Sequence, residues 1–348
     1  MNVLHLYRPR LPSSRAQSIQ VLRTCHALAS RGHKVTLFAD RGAQPALLWE
    51  QMGLRPHPNL HLHVAPVRHA GLAGIWFRHM LSRWWNGTPG IVLARDKRRL
   101  LQAIQKHGIQ NHRVVLEAHE LDSLQPNGQV NPECHALEAT CLQAADAIMT
   151  NCGGTLSAWQ EHHSIEIPHR VCHNASHIES LVPMRDSEGV LVLGSMRTTK
   201  GVESILDAAS GLRVHFRWVG GTVQERQKWS HKAQLDAPVE HANIQSVLSA
   251  ARVLVLPLGN NPFSHRFTSP LKLWDYLATD RPIVAAKTQA VYEICGHSQP
   301  GVFFYNPEDI ASIQKAIQDA LQSPSRVPHR RSWTTRAIEI SNLFDRVL

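Results

Sequence analysis

Two successive α/β halves, each a parallel sheet covered by helices, are the fold that the sequence predicts, and three observations predict it. The chain has 348 residues, too many for one typical hydrophobic core. Short apolar runs alternate with amphipathic stretches, the pattern of βα units around a parallel sheet. That alternation restarts at Gly189, after a joining segment near His169–Ser187.

Val3–Leu6 opens the first half as a buried strand, and the loop RPRLPSSRAQS leads into a helix over Ile19–Ser30. There Val21, Leu22, Cys25, Leu28 and Ala29 fall at helical spacing. Arg31-Gly32-His33 ends the helix and Lys34–Ala39 is the next strand. Further strands are expected at His61–Ala65, Ile91–Ala94, Val114–Leu116 and Ala147–Thr150, with a helix over Pro132–Ala145. The second half opens on the strand GVLVLGS, then MRTTKG and a helix over Val202–Ala209. A strand over Val214–Val219 ends in Gly220-Gly221. Helices near Gln224–Lys232 and Ile244–Ala251 precede a strand at Val253–Pro257. Phe267–Ala286, FTSPLKLWDYLATDRPIVAA, reads as loop, helix and buried strand. Helices over Pro307–Gln322 and Trp333–Leu348 complete a division into 1–172, 173–330 and a terminal 331–348.

Composition narrows the class. Hydrophobic residues make up 43% and charged residues 18% of the chain, as in globular proteins. The N-terminal apolar run is broken at His5 and Arg8, so it reads as a strand and not as a signal peptide. No apolar stretch is long enough to span a bilayer. Six cysteines, at 25, 134, 141, 152, 172 and 295, form no CxxC pair, which fits a reducing cytosol better than a disulfide framework or a zinc site. The net charge of +10, with 23 histidines uncounted, points to polyanionic partners. Zinc-finger spacing, an RNP-like motif and a bZIP pattern are all missing, so no nucleic-acid partner is expected. From Arg78 to Arg113 eight Lys or Arg stand against one acid, Asp96.

In open α/β sheets ligands bind at the carboxyl ends of the strands. The candidate loops are Arg8–Ala16, Glu117–Asp122 and Asn151–Thr155 in the first half, and Gly194–Gly201, Gly220–Thr222 and Gly259–Leu273 in the second.

The combination of ALASRGHKVTLF, VLGSMRTTKGVESILDAA, WVGG and SPLKLWDYLATDRPIVAA resembles the GT-B glycosyltransferases of family four. These are retaining enzymes that transfer a sugar from a nucleotide-sugar donor. The resemblance runs from about Val3 to the strand after Pro282. It implies two Rossmann-like domains facing across a cleft, the second binding the donor and the first the acceptor, with the terminal helix crossing back to the first.

Such transfer requires the departing diphosphate to be neutralised, by a metal or by fixed cations and N–H donors. No two aspartates form a DxD arrangement, so neither metal nor other cofactor is expected. The resemblance assigns the diphosphate to Arg197 and Lys200, and to the turn Thr268, Ser269, Pro270, Leu271 and Lys272 at a helix N-terminus, where unpaired N–H groups suit phosphate. Asp275 stands where the last Glu of a Glu-x7-Glu motif would meet the ribose. The first Glu is replaced by Phe267, which cannot do a carboxylate's work. Gly194, Gly220 and Gly221 lie in the nucleotide vicinity; for the last two a tight structural turn is the alternative. Asp280 replaces a common Gly, and Asp tolerates a left-handed turn. Asn174 in HNAS occupies the place of an Asn-Gly-x-Asp motif. His119 in VVLEAHELD matches a His near the donor sugar, where it would donate a hydrogen bond to a hydroxyl or steer the acceptor. Ser14, Arg15 and Glu117 fall on the acceptor side. The resemblance implies no enzymic nucleophile and the donor's own phosphate as the base for the incoming hydroxyl.

In GIWFRHMLSRWWNG, Trp76, Phe77, Trp84 and Trp85 alternate with Arg78 and Arg83, and ARDKRR follows. Such composition occurs at membrane interfaces, and equally in a helix whose tryptophans pack on a sheet with its arginines in solvent. The resulting expectation is a cytoplasmic, hexosyltransferase-type retaining enzyme using a UDP- or GDP-sugar. Its acceptor would be a glycan or lipid-linked hydroxyl in polysaccharide, glycolipid or cell-envelope synthesis, met at the inner face of an anionic membrane through Trp76–Arg99. The alternatives are a nucleotide-sugar-binding GT-B protein without turnover and a nucleotide-sugar epimerase.

Overall fold

The computed structural model describes residues 1–11, 15–40, 45–66, 70–87, 89–178 and 189–348. Ser13 and Ser14 lie outside the described residues. The chain forms two compact units, Met1–His173 with Trp333–Leu348, and Asn174–Ser332.

The first unit is built on a seven-stranded parallel sheet. Its strands are β1 (Asn2–Leu6), β2 (Lys34–Ala39), β3 (Leu60–Val64), β4 (Ile91–Ala94), β5 (Arg113–Ala118), β6 (Ala147–Thr150) and β7 (His169–Val171), in the order β3-β2-β1-β4-β5-β6-β7. Val3 of β1 pairs with Val35 on one side and Ile91 on the other. Strands covered on both faces need apolar residues at every position, which is why β4 and β6 are buried throughout. β7 adds an edge strand within the segment expected to join the halves; His-Arg-Val carries no apolar run that would announce it. The helix after β1 spans Ala16–Ser30, three residues earlier than its apolar spacing suggested. The terminal helix, Trp333–Phe344, packs against Ala16–Ser30 and buries Ala337, Ile340, Leu343 and Phe344.

The aromatic stretch is part of one helix, Ala70–Gly87. Of its two readings, packing on the sheet describes Phe77, Trp84 and Trp85, which are buried in the core of this unit. Trp85 Nε1 donates to the Gly108 carbonyl at 2.9 Å, and Trp84 stacks on His112. The rings therefore do not form an exposed interfacial stripe; the exposed apolar residues of this helix are Leu72 and Ile75. No helix among the described residues is long and apolar enough to cross a membrane.

The second unit holds a six-stranded parallel sheet of β8 (Val190–Leu193), β9 (Phe216–Val219), β10 (Gln234–Asp236), β11 (Val253–Leu256), β12 (Ile283–Ala286) and β13 (Val302–Tyr305), ordered β10-β9-β8-β11-β12-β13. β10 and β13 lie outside the strands expected from sequence: the first is short and polar, the second is the apolar run Val-Phe-Phe-Tyr. Helix Ile310–Gln322 starts at Asp309, whose side chain accepts from the Ser312 N–H, the usual device for a helix's first unsatisfied donors.

Arg281, the basic residue before β12, is fully buried. Its guanidinium donates to the carbonyls of Ser249 and Ala251 and pairs with Asp280. It is an interior tie whose partners are two carbonyls and the neighbouring Asp280 of its own chain. Among the described non-glycine residues positive φ occurs at Gln110 and Glu308, so Asp280 makes its turn without the left-handed conformation.

Candidate functional site

The order of the second sheet reverses between β8 and β11, the place beyond the strand ends where open α/β sheets bind their ligands. The loop after β8 begins at Gly194, with φ +131°, and runs through Arg197 to a left-handed Gly201. A Cβ on Gly220, at φ +136°, would stand 2.1 Å from the Gly194 carbonyl oxygen. Only glycine allows these two loops to touch. The close neighbour of Gly220 is thus the β8 loop itself, which is the structural-turn alternative in concrete form. Asn261 Nδ2 ties down the far side of the loop by donating to Thr199 O at 2.8 Å.

Two lysines converge here. A Cβ on Gly194 would lie 3.6 Å from both Lys200 Nζ and Lys272 Cε. Burial, then the charges of Lys272 and Arg197, lower the Lys200 pKa to about 8, with Glu225 alone opposing. Burial also pushes Lys272 below its usual range, against the pull of Asp275. Arg197 is exposed at the mouth of the same loop. Like charges held together without a matching anion are a cost in the free protein.

The turn Thr268–Leu271 enters a seven-residue helix, Leu271–Leu277. Thr268, Pro270 and Leu271 are half-buried. Ser269 is turned inward: its hydroxyl accepts from the Asn174 N–H at 3.1 Å and from Trp274 Nε1 at 3.2 Å, and its carbonyl accepts from Asn174 Nδ2 at 2.6 Å. Its hydroxyl therefore braces the turn from inside, and Asn174 finds its role there. Phe267 is buried beneath this turn.

Asp275 is buried on the same helix. Its Oδ1 accepts from Ser176 Oγ and His177 Nδ1, both at 3.0 Å. Burial alone would raise its pKa; His177, His241 and Lys272 outweigh burial and hold it at about 2. The His241 ring lies 3.8 Å from that of His177.

In the first unit His119 follows β5. Its Nε2 lies 2.9 Å from Glu117 Oε1. The Glu117 carboxylate is fully buried and also receives Gln20 Nε2 at 2.9 Å and Arg336 at 3.1 Å, with His5 Nε2 3.0 Å from its other oxygen. Burial would raise the Glu117 pKa, but hydrogen bonds from His119 and His5 carry it well below the carboxylate range. An ionised carboxylate only accepts, so Nε2 of His119 carries the proton and Nδ1 is the ring's acceptor. Burial and the Arg95 charge lower the His119 pKa to about 4 despite Glu117. At neutral pH the His119 ring is therefore neutral, with its Nε2–H turned to Glu117 and Nδ1 left as the acceptor atom. Glu117 itself is buried beneath this ring and does not reach solvent. Arg15 is exposed and extended immediately before helix Ala16–Ser30.

Sequence reasoning missed His5, Gln20, Arg95 and Arg336. Arg95 had a signal, since it directly follows a strand that borders β1; the other three meet Glu117 only through the tertiary fold.

Residues 187–323 match the family described as Glycosyl transferases group 1. No curated protein matches the chain by sequence. Similar solved structures include sucrose-phosphate synthase from Thermosynechococcus elongatus, at 15% identity and TM-score 0.73, covering 100% of this chain and 94% of that one. Anabaena HepE in complex with UDP and glucose matches at 13% and 0.66, over 99% of this chain and 95% of that one. The catalytic domain of starch synthase IV from Arabidopsis thaliana, bound to ADP and acarbose, matches at 10% and 0.67, over 100% and 99%. At such identities the likeness is one of fold, and the fold is GT-B. The chain thus has the GT-B fold, and the segment of its second unit over residues 187–323 is similar to the group 1 glycosyl transferases.

Proposed function

We propose that the enzyme takes a sugar from a UDP- or GDP-sugar, without a metal, and transfers it to a hydroxyl with retention of anomeric configuration. The acceptor belongs to polysaccharide, glycolipid or cell-envelope synthesis, at the cytoplasmic face of a membrane. The observation that carries the donor half of this reading is the convergence of Lys200 and Lys272 on Gly194 at the switch point of the second sheet. Cations already held in place stabilise a departing diphosphate without reorganising, and the phosphates relieve the mutual repulsion of the lysines. Arg197 closes on the outer phosphate, and Asp275 meets the ribose. UDP and ADP bound in two of the similar structures support a nucleoside diphosphate. His119 accepts a hydrogen bond from a sugar or acceptor hydroxyl at Nδ1.

Calorimetric titration of UDP, GDP and ADP without metal tests this. One nucleotide is expected to bind, and Arg197→Ala/Lys200→Ala to weaken it by about tenfold to a hundredfold, the worth of losing charge-assisted hydrogen bonds. Binding of none of the three would overturn the reading. The buried Phe267, standing where the family resemblance implies a carboxylate, favours a second reading: a donor-binding protein without turnover. Normal donor affinity with no transfer over a broad acceptor panel would select it.

A further inference from the structure

Two cavities of the first unit share a wall. The smaller, about 350 Å³, opens beyond the ends of β1 and β4, where the order of the first sheet reverses. Its charged lining sets Arg8, Arg10, Arg15 and Arg99 against Asp40 and Asp96, four positive charges less two negative, a surplus of two. Asp40 is shared, lying 4.0 Å from Arg8 Nε and 3.7 Å from Arg10 Nε, while Arg99 pairs with Asp96 at 2.6 Å. Burial and the Arg99 charge push the Arg8 guanidinium below its usual range, against both aspartates.

The larger cavity, about 890 Å³, is a groove lined from helices Ala70–Gly87 and Lys97–His107. Ile75, Phe77, Leu81 and Ala103 give it apolar surface, and Arg78, Arg98 and Lys106 add cations. Ile75 is 55% exposed and its neighbour Leu72 is 53% exposed. Arg8, Asp96 and Arg99 line both cavities. The Phe77 ring lies under both guanidiniums, 5.6 Å from Arg8 and 4.5 Å from Arg99, and holds them at the junction by cation–π attraction.

We propose that the two cavities take one molecule, an amphiphilic anion that is the sugar acceptor: a phosphate ester in the arginine pocket and an apolar chain along the groove. Guanidinium forks match phosphate oxygens in pairs. A neutral oligosaccharide would offer the guanidiniums no anion, and inorganic phosphate or a sugar phosphate would leave the groove empty. The proposal names the acceptor class of the transfer reaction and rests on that reaction.

Octyl phosphate, octyl glucoside and inorganic phosphate, each monomeric in solution, are titrated calorimetrically into the full chain without donor. Octyl phosphate is expected to bind about tenfold or more tighter than either of the others, since it engages both cavities. Arg10→Ala is expected to weaken octyl phosphate about tenfold. Ile75→Asp is expected to weaken it similarly while leaving inorganic phosphate unchanged. Both positions are exposed, so the variants should keep the parent's circular dichroism and melting temperature. Octyl phosphate binding no tighter than inorganic phosphate would reduce the site to an anion pocket and overturn the proposal. Equal binding of octyl glucoside would overturn it too. Nucleotide binding, measured separately, distinguishes the failures: its retention beside a failed octyl phosphate titration removes the acceptor class alone.

Discussion

Lys200 would make the proposed donor site responsive to pH. Its pKa in the free protein is lowered to about 8, and a bound phosphate would raise it again by supplying the opposite charge. Below about pH 8 the ammonium is already charged, so affinity for the nucleotide should be flat. Above that value binding must first recruit a proton, and affinity should fall. Titrations at pH 7, 8 and 9 in buffers of different ionisation enthalpy check this: proton uptake is expected near pH 8, and Lys200→Arg should abolish both the uptake and the fall. A flat profile in the unaltered protein would remove Lys200 from the phosphate site. The placement of Lys200 and Arg197 was legible because it is set within one short loop, whose glycines and flanking strand and helix are contiguous. The inward turn of the Ser269 hydroxyl was not, because its partner Asn174 lies 95 residues away.

The terminal helix shows what an element can conceal from sequence. Its apolar spacing announced a helix, and nothing announced that Arg336, itself fully buried, would meet Glu117 over a separation of 219 residues. Buried charge pairs add little net stability, yet removing one partner strands the other. Glu117→Gln should therefore destabilise the first unit by about 3–5 kcal/mol, and Glu117→Gln/Arg336→Met by distinctly less. Urea denaturation of both variants measures the difference. The sign with pH follows from the depressed Glu117 pKa: its contribution is present above the ordinary value of 4.5 and lost as pH falls below it toward the folded value. The same element-scale logic explains the aromatic helix. Composition gave Trp84, Trp85 and Phe77 two destinations, and only packing against the sheet chose between them.

At the scale of the molecule, the α/β class and the restart after residue 188 were readable because two-sided parallel sheets leave long apolar runs in the sequence. The edge strands β7 and β10 escaped, since edges need no such runs. The second unit, Asn174–Ser332, is continuous in sequence, while the first is completed by Trp333–Leu348. A chain ended after Ser332 should lose the cover of helix Ala16–Ser30 and the partner of Glu117 while keeping every strand of β8–β13. Limited proteolysis of that chain should digest the first unit and spare a fragment beginning near residue 174; equal resistance of both units would show the terminal helix to be dispensable. The interruption also orders events on the ribosome. The first unit waits for the segment encoded after Ser332, so the second unit can reach its native state while its predecessor is still incomplete, and the face of Ala16–Ser30 that Trp333–Phe344 covers stays open during synthesis of the intervening residues.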